Sequence, residues 1–384
     1  MNTNRFETFL DAILAIIITI LVLKLTQPVA PTLEAIWPLQ TKFLTYLTVF
    51  LVIYNIWYNN HNLFQMVEEI NNRVLLINGV SIFIISLFPY FATWVSLNPY
   101  SIPAQTTYGL IFVLLNILTY FSTIEVYKSN PYNKKLQALP PNKYLFAYLP
   151  LAIVFAGYIL TYTVFVPGIY YSCLIMVITW IVAYRIKRPE MIMESERFEA
   201  LIDAIVAIIL TIIVLEIPMV AGGSWEGLFE LKLEFLSYAI SFIVCFNFWN
   251  YNNNLFQLVN FIDYKVIWSI GLSLFVLSLI PYLTQFVALN FTSLLPQALY
   301  GIDFLIVNLL SIWSSRALKA SDPGNIALQI ALQDYKPYIL SGICMIIGFV
   351  IGILFYPPAI MIFCLISILV VWLVHHIHKP NVFN

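Results

Sequence analysis

Uncharged apolar runs of about 18 residues or more recur from one end of this chain to the other. That is the length a helix needs to cross the hydrocarbon core of a bilayer. Only 10% of the 384 residues are charged, 61% are hydrophobic, and the mean hydropathy is +0.88. A soluble chain is typically about a quarter charged. The chain therefore reads as an all-α, polytopic membrane protein in a lipid bilayer. Its net charge of −1 offers no field for nucleic acid. Cys173, Cys245, Cys344 and Cys364 all lie in apolar runs without CxxC spacing. They read as small buried hydrophobes rather than disulfides or metal ligands. The first apolar run is too long for a signal-peptide core and lacks a small-x-small cleavage site, so it is expected to stay on the mature chain.

The chain is also written twice. RFETFLDAILAIIITILVLKL, Arg5 to Leu25, returns as RFEALIDAIVAIILTIIVLEI, Arg197 to Ile217, an offset of 192 positions. At that offset WYNNHNLFQMV, Trp57 to Val67, falls on WNYNNNLFQLV, Trp249 to Val259. Pro89 and Tyr90 fall on Pro281 and Tyr282, and Gln105, Tyr108, Gly109 and Asn116 fall on Gln297, Tyr300, Gly301 and Asn308. Near the end the register slips by one, matching Pro167, Cys173 and Pro189 to Pro358, Cys364 and Pro380. This is a tandem duplication, with one repeat over residues 1–190 and the other over 191–384.

Each half divides into six apolar stretches punctuated by Pro, Asn and charge. In the first half they fall near 5–27, 40–67, 74–97, 104–127, 144–165 and 168–187. In the second they fall near 197–218, 231–259, 266–289, 296–319, 336–355 and 358–378. Twelve transmembrane helices are expected, as two six-helix repeats. An even number per half returns the chain to its starting side, so the repeats are parallel. On this threading only Lys24, Lys42 and Lys232 face the side opposite the N-terminus, leaving the other 15 of the 18 basic residues on the N-terminal side. The positive-inside rule then makes both termini cytoplasmic.

Ionisable groups at membrane depth are expensive and mark pathways or pairing networks. Each repeat opens with such groups, Arg5 and Asp11 in the first and Arg197 and Asp203 in the second. At about 100° per residue, Ala12, Ile16, Thr19 and Leu23 fall within about 60° of one another. Their counterparts are Ala204, Ile208, Thr211 and Leu215, and both aspartates point away from the stripe. Such a stripe is either a packing face or a pore lining with an apolar constriction that gates by dewetting. The second helix runs back antiparallel, which brings Asp11 level with Trp57 or Asn55, with His61 nearby. Trp249, Asn247, Asn252 and Asn253 are the corresponding donors for Asp203. These groups either brace the helices or simply satisfy one another.

Other features carry less. His375 to His378, beside Lys379, read as a basic flank at the last membrane exit rather than a metal site. Asp303 stands where the first half has Ile111, and reads as an interhelical polar contact or a site residue. Lys24 and Glu216 are equivalent positions that either pair across a mouth or leave Lys24 to snorkel. Asn290 to Thr292 is a glycosylation sequon of little weight. No Walker loop, GxSxG, HExxH or paired-carboxylate pattern is present, so no enzyme, catalytic residue, cofactor or metal is expected.

RxxxFxD at the start of the first span, with WxxxHxLF at the end of the second, resembles the transmembrane protein 175 family. Its hallmark RxxxFSD reads Arg5-Phe6-Glu7-Thr8-Phe9-Leu10-Asp11 here, and Arg197-Phe198-Glu199-Ala200-Leu201-Ile202-Asp203 in the second copy. The hallmark serine is thus Leu10 and Ile202, and the second hallmark Phe is Leu201 in the second copy. The usual His-His pair is Asn60-His61 in one half and Asn252-Asn253 in the other. The resemblance implies a potassium-permeable channel, assembled as a homodimer whose four first-type helices line one pore. It further implies a constriction at Ile16 and Ile208, with Thr19 and Thr211 contributing to ion preference. Arg5, Asp11, Trp57, His61, Arg197, Asp203, Trp249 and Asn253 would brace those helices. The cell membrane is the expected location, or the endosomal and lysosomal membrane in an animal. A proton pathway through Asp11 and Asp203, and a non-conducting scaffold descended from a channel, are the alternatives.

Overall fold

The computed structural model describes residues 3–67, 69–138, 144–187, 193–220, 224–259, 261–333 and 336–377. Sequence features at Lys143, Arg188, Pro189, His378, Lys379 and Pro380 lie outside the described residues, as do the side chains of Arg185, Lys187, His375 and His376. The chain forms two compact units, one of Met1–Leu25 with Leu39–Met193 and one of Thr26–Pro38 with Glu194–Asn384.

The main helices of the first unit are α1 (Thr3–Ile20), α2 (Gln40–Phe64), α3 (Asn72–Ser86), α4 (Phe88–Leu97), α5 (Ile102–Ser129), α6 (Leu149–Thr163) and α7 (Gly168–Lys187). The second unit holds α8 (Ser195–Leu215), α9 (Lys232–Phe256), α10 (Tyr264–Leu277), α11 (Ile280–Leu289), α12 (Leu294–Ser321), α13 (Lys336–Leu354) and α14 (Ala359–Ile377). Strand among the described residues amounts to two pairs of residues, Met193–Glu194 and Phe261–Ile262. Nine helical segments among the described residues are long and apolar enough to cross a membrane. Shorter apolar helices over Leu149–Thr163, Gly168–Val182 and Ala359–Val374 fall at the three remaining expected positions. The architecture is all-α and duplicated, as the sequence implies, and among the described residues the nine full-length candidates and three shorter apolar helices stand at the twelve expected positions.

The third expected span of each half, read as one helix over 74–97 and 266–289, is broken. It splits into α3 and α4 in one half and α10 and α11 in the other. Pro89 and Pro281 sit in the first turn of the second piece, where the missing N–H costs nothing. Continuing the preceding helix through them would lose a backbone bond and drive the ring into the turn before. The start of each span is fixed by a side-chain cap. Asn71 Oδ1 accepts from the Val74 N–H at 2.8 Å, and Asp263 Oδ1 from Val266 at 3.0 Å.

Matching polar clamps hold the loop after the fourth span in both units. Asn133 Nδ2 donates to the Met66 carbonyl at 2.6 Å, and Asn325 Nδ2 to that of Leu258 at 2.7 Å. Gln137 and Gln329 donate to the carbonyls of Tyr127 and Lys319, each at 3.0 Å. These bonds satisfy backbone groups that the ends of the spans leave open. Close helix packing uses small residues in the same way. A side chain at Gly109 on α5 would strike Ile169 of α7, and one at Gly301 on α12 would strike Ile360 of α14. All four cysteines are buried and free.

Candidate pore-lining site

Helix α1 leaves one apolar face uncovered within its unit. Phe9, Ala12, Ile16 and Ile20 are exposed, Ile16 by 43%, as is Leu23 in the turn of 3-10 helix, Leu21–Lys24, that continues α1. Leu10, Leu14, Ala15, Ile17 and Ile18 are buried behind them. In α8 the exposed residues beyond Glu196 in its first turn are Ala200, Asp203, Ala207, Thr211, Val214 and Leu215, with Ala204 and Ile208 half-exposed. At about 100° per residue, the exposed face of α8 is rotated by about 90° around its axis relative to that of α1. Ala12, Ile16 and Leu23 thus share an open face, as do Ala204, Ile208, Thr211 and Leu215.

Thr19 departs from the stripe read in the sequence. It is fully buried, and its hydroxyl donates to the carbonyls of Ala15 at 2.8 Å and Ile16 at 3.0 Å. Periodicity puts it at the edge of the stripe, and that edge is covered in α1. Thr211 makes the same kind of bond, to the Ile208 carbonyl at 2.8 Å, but remains exposed. The difference in rotation accounts for both threonines, and for the aspartates as well. Asp11 is 7% exposed, whereas Asp203 lies on the open side of α8.

Both aspartates nevertheless bond to the second helix of their own unit. Trp57 Nε1 donates to Asp11 Oδ1 at 2.9 Å, and Trp249 Nε1 to Asp203 Oδ1 at 2.7 Å. A ring contact reinforces each pair of helices. Phe6 meets Phe64 edge-on at 5.7 Å, and Phe198 meets Phe256 at 5.9 Å. Arg5 is exposed and Arg197 half-exposed near the starts of α1 and α8.

Around these bonds the halves differ. His61 stacks on Trp57 with ring centres 5.5 Å apart and planes within 3°. Its Nδ1 lies 3.6 Å from Glu7 Oε1, with both residues buried. Asn253 holds the place of His61 in α9, half-exposed and without a ring to stack. Asn55, level with Asp11 by helix rise, is buried with no hydrogen-bond partner for either amide atom among the described residues. Its counterpart Asn247 accepts from Trp372 Nε1 at 2.8 Å, and Asn252 donates to the Phe248 carbonyl.

Sequence reasoning missed an aromatic ladder that runs down each second helix to the bonded tryptophan. In α2 it comprises Tyr46, Phe50, Tyr54 and Trp57, with successive ring centres 6.4, 6.0 and 5.7 Å apart. In α9 it comprises Tyr238, Phe242, Phe246 and Trp249, at 6.1, 6.4 and 5.5 Å. The signal was present, since aromatic residues at these helical spacings occupy neighbouring turns on one face.

Fold and site together define a polytopic membrane protein made of two copies of one helical unit, each opening with an Asp–Trp-tied helix that carries an uncovered stripe. The sequence model of the family described as endosomal/lysosomal potassium channel TMEM175 matches residues 5–89 and again 197–281. A potassium channel of Chryseobacterium sp. (strain P1-3) is 32% identical over 185 residues, which cover 47% of this chain and 94% of that protein. A potassium channel of Chamaesiphon minutus (strain ATCC 27169 / PCC 6605) is 27% identical over 129 residues, covering 30% of this chain and 62% of the relative. The endosomal/lysosomal proton channel TMEM175 of Danio rerio is 21% identical over 304 residues, covering 66% of this chain and 58% of the relative. The chain belongs to the TMEM175 family of membrane ion channels.

Proposed function

We propose that this protein is a potassium-permeable cation channel, with each of the two compact units contributing one six-helix repeat. Two copies associate so that both α1 and both α8 surround one path. Ile16 and Ile208 form its apolar constriction. Ala12, Leu23, Ala204, Thr211 and Leu215 line it, while Thr19 acts from behind Ile16. The observation that carries this reading is the apolar stripe of α1 left open beside the buried Asp11–Trp57 bond. An Asp tied to the neighbouring helix braces the stripe, and an apolar ring conducts when it is wide enough to stay wet. Arg5, Trp57, His61, Arg197, Trp249 and Asn253 complete the bracing. Both termini lie in the cytoplasm, and the cell membrane is the site of action.

One observation favours a second reading. Asp203 is exposed on the same side of α8 as Thr211, so a carboxylate stands beside the proposed path. A proton pathway would use it directly. Purified protein in liposomes distinguishes the two. Potassium flux that survives Asp203→Asn supports the channel reading. Reversal potentials that follow the proton gradient and vanish in that variant support the proton pathway. Intact protein that passes neither ion overturns both, and leaves the scaffold reading.

A further inference from the structure

The second unit carries polar groups in its interior where the first has hydrocarbon. Asp303 on α12 replaces Ile111, Cys245 on α9 replaces Ile53, Ser241 replaces Val49, and Thr284 on α11 replaces Ala92. Asp303 is 5% exposed, and its Oδ2 has no hydrogen-bond partner among the described residues. It lies about a third of the way along a 28-residue apolar helix, at membrane depth. No ion pair to it occurs among the described residues.

These substitutions also create a chain of hydroxyls. Thr284 Oγ1 and Ser241 Oγ are 2.7 Å apart, and Ser241 Oγ and the Tyr300 hydroxyl are 2.9 Å apart. All three residues are buried. Tyr300 precedes Asp303 by three residues on α12, which places both on one face. The equivalent Tyr108 in the first unit is buried with no hydrogen-bond partner for its hydroxyl among the described residues. At its other end the chain opens on a cavity of about 240 Å³, lined by Thr284, Gln285, Tyr238, Glu216 and Glu234. One Glu234 oxygen in that cavity is itself buried without a hydrogen-bond partner among the described residues.

Among the described residues, the remaining surroundings of Asp303 provide no ion-paired counter-charge. Cys245 from α9, Cys364 from α14 and Tyr300 from its own helix are close enough to interact with it electrostatically. Among the described side chains, the other titratable groups on helices packed against α12 are Tyr264 and Lys265 of α10, Tyr282 of α11, and Lys336, Tyr338 and Cys344 of α13. Arg316 and Lys319 lie on α12 itself, more than about three turns further along. A lone carboxylate at this depth is expensive, and binding one proton removes its charge.

We propose that Asp303 is a proton-binding site within the second repeat, loaded from the Glu216–Glu234 cavity through Thr284, Ser241 and Tyr300. In each hop an oxygen accepts one proton and passes on its own, so only Asp303 changes charge, from −1 to neutral. Thr284 now donates to the Ile280 carbonyl at 2.6 Å, and its hydroxyl turns toward Ser241 to begin the relay. Asp303 is not itself on the stripe of α8, although Leu215 of that stripe also lines the loading cavity, and the site stands whether or not the stripe conducts.

Infrared spectroscopy of the full chain in liposomes tests the proposal. Wild type is expected to show a protonated-carboxyl band at neutral pH that is absent in the isosteric variant Asp303→Asn. On transfer to heavy water that band should shift, and Ser241→Ala with Thr284→Ala should slow the shift by about tenfold. Ser241→Ala alone breaks the same chain and should also slow it, should the double variant fail to fold. Spectra of wild type and Asp303→Asn without a protonated-carboxyl difference overturn the site. Exchange unchanged by loss of Ser241 overturns the route.

Discussion

The indole Nε1 of Trp57 donates to Asp11 Oδ1 at 2.9 Å, and both residues are buried. The equivalent bond from Trp249 to Asp203 is as short, at 2.7 Å, but is open on one side. Removing a donor from a buried acceptor costs about 1–3 kcal/mol, whereas an exposed acceptor turns to other partners. Trp57→Phe should therefore lower the unfolding midpoint in detergent clearly, and Trp249→Phe by a smaller amount. Equal losses from the two variants would contradict the difference in rotation between α1 and α8.

Glycine substitutions separate close packing from open helix surface. Gly109→Ala and Gly301→Ala each push a methyl group into an isoleucine of the adjoining helix, Ile169 or Ile360. Overpacking of this kind costs about 1–3 kcal/mol. Gly79 has nothing within 4 Å of where a Cβ would sit, so Gly79→Ala should leave stability unchanged or slightly raised. Thermal unfolding of the three variants checks the order.

Thiol labelling reads the threonines directly. The four native cysteines are buried, which keeps the background low. Thr211→Cys should react readily with a water-soluble thiol reagent, and Thr19→Cys more slowly by about tenfold or more, because buried thiols are inert. Equal rates would mean that both stripes turn the same face to water.

The membrane class and the duplication were legible because hydropathy and repeated residues act along the chain. The Asp–Trp register was legible too, since helix rise places Trp57 beside Asp11 in an antiparallel pair. Rotation was not. Asp11 and Asp203 occupy identical positions in their repeats, as do Thr19 and Thr211, yet their exposure differs, because neighbours rather than periodicity decide which part of a face is covered. Pro89 and Pro281 did signal a break, but unbroken hydropathy across them reads as one span. The aromatic ladder of Tyr46, Phe50, Tyr54 and Trp57 was hidden in a stretch where any apolar residue satisfies the membrane.

The repeat comparison also singles out the polar interior of the second unit. Tyr108 and Tyr300 are the same residue at the same position, but only Tyr300 has Ser241 to bond. Asp303→Ile, which restores the first-repeat residue, removes a buried carboxyl oxygen that has no hydrogen-bond partner among the described residues. It should raise the unfolding free energy by an amount on the order of 1 kcal/mol. A loss of several kcal/mol would show instead that Asp303 is a structural hydrogen-bonding group.

The central claim is that Ile16 and Ile208 form the narrowest part of a cation path. Single-channel recording of wild type and of the Ile16→Asn, Ile208→Asn double variant in planar bilayers tests it most directly. A polar amide in place of each isoleucine should keep the constriction wet and raise the unitary potassium conductance several-fold. Equal conductance in the two proteins, or no current from either, would contradict it.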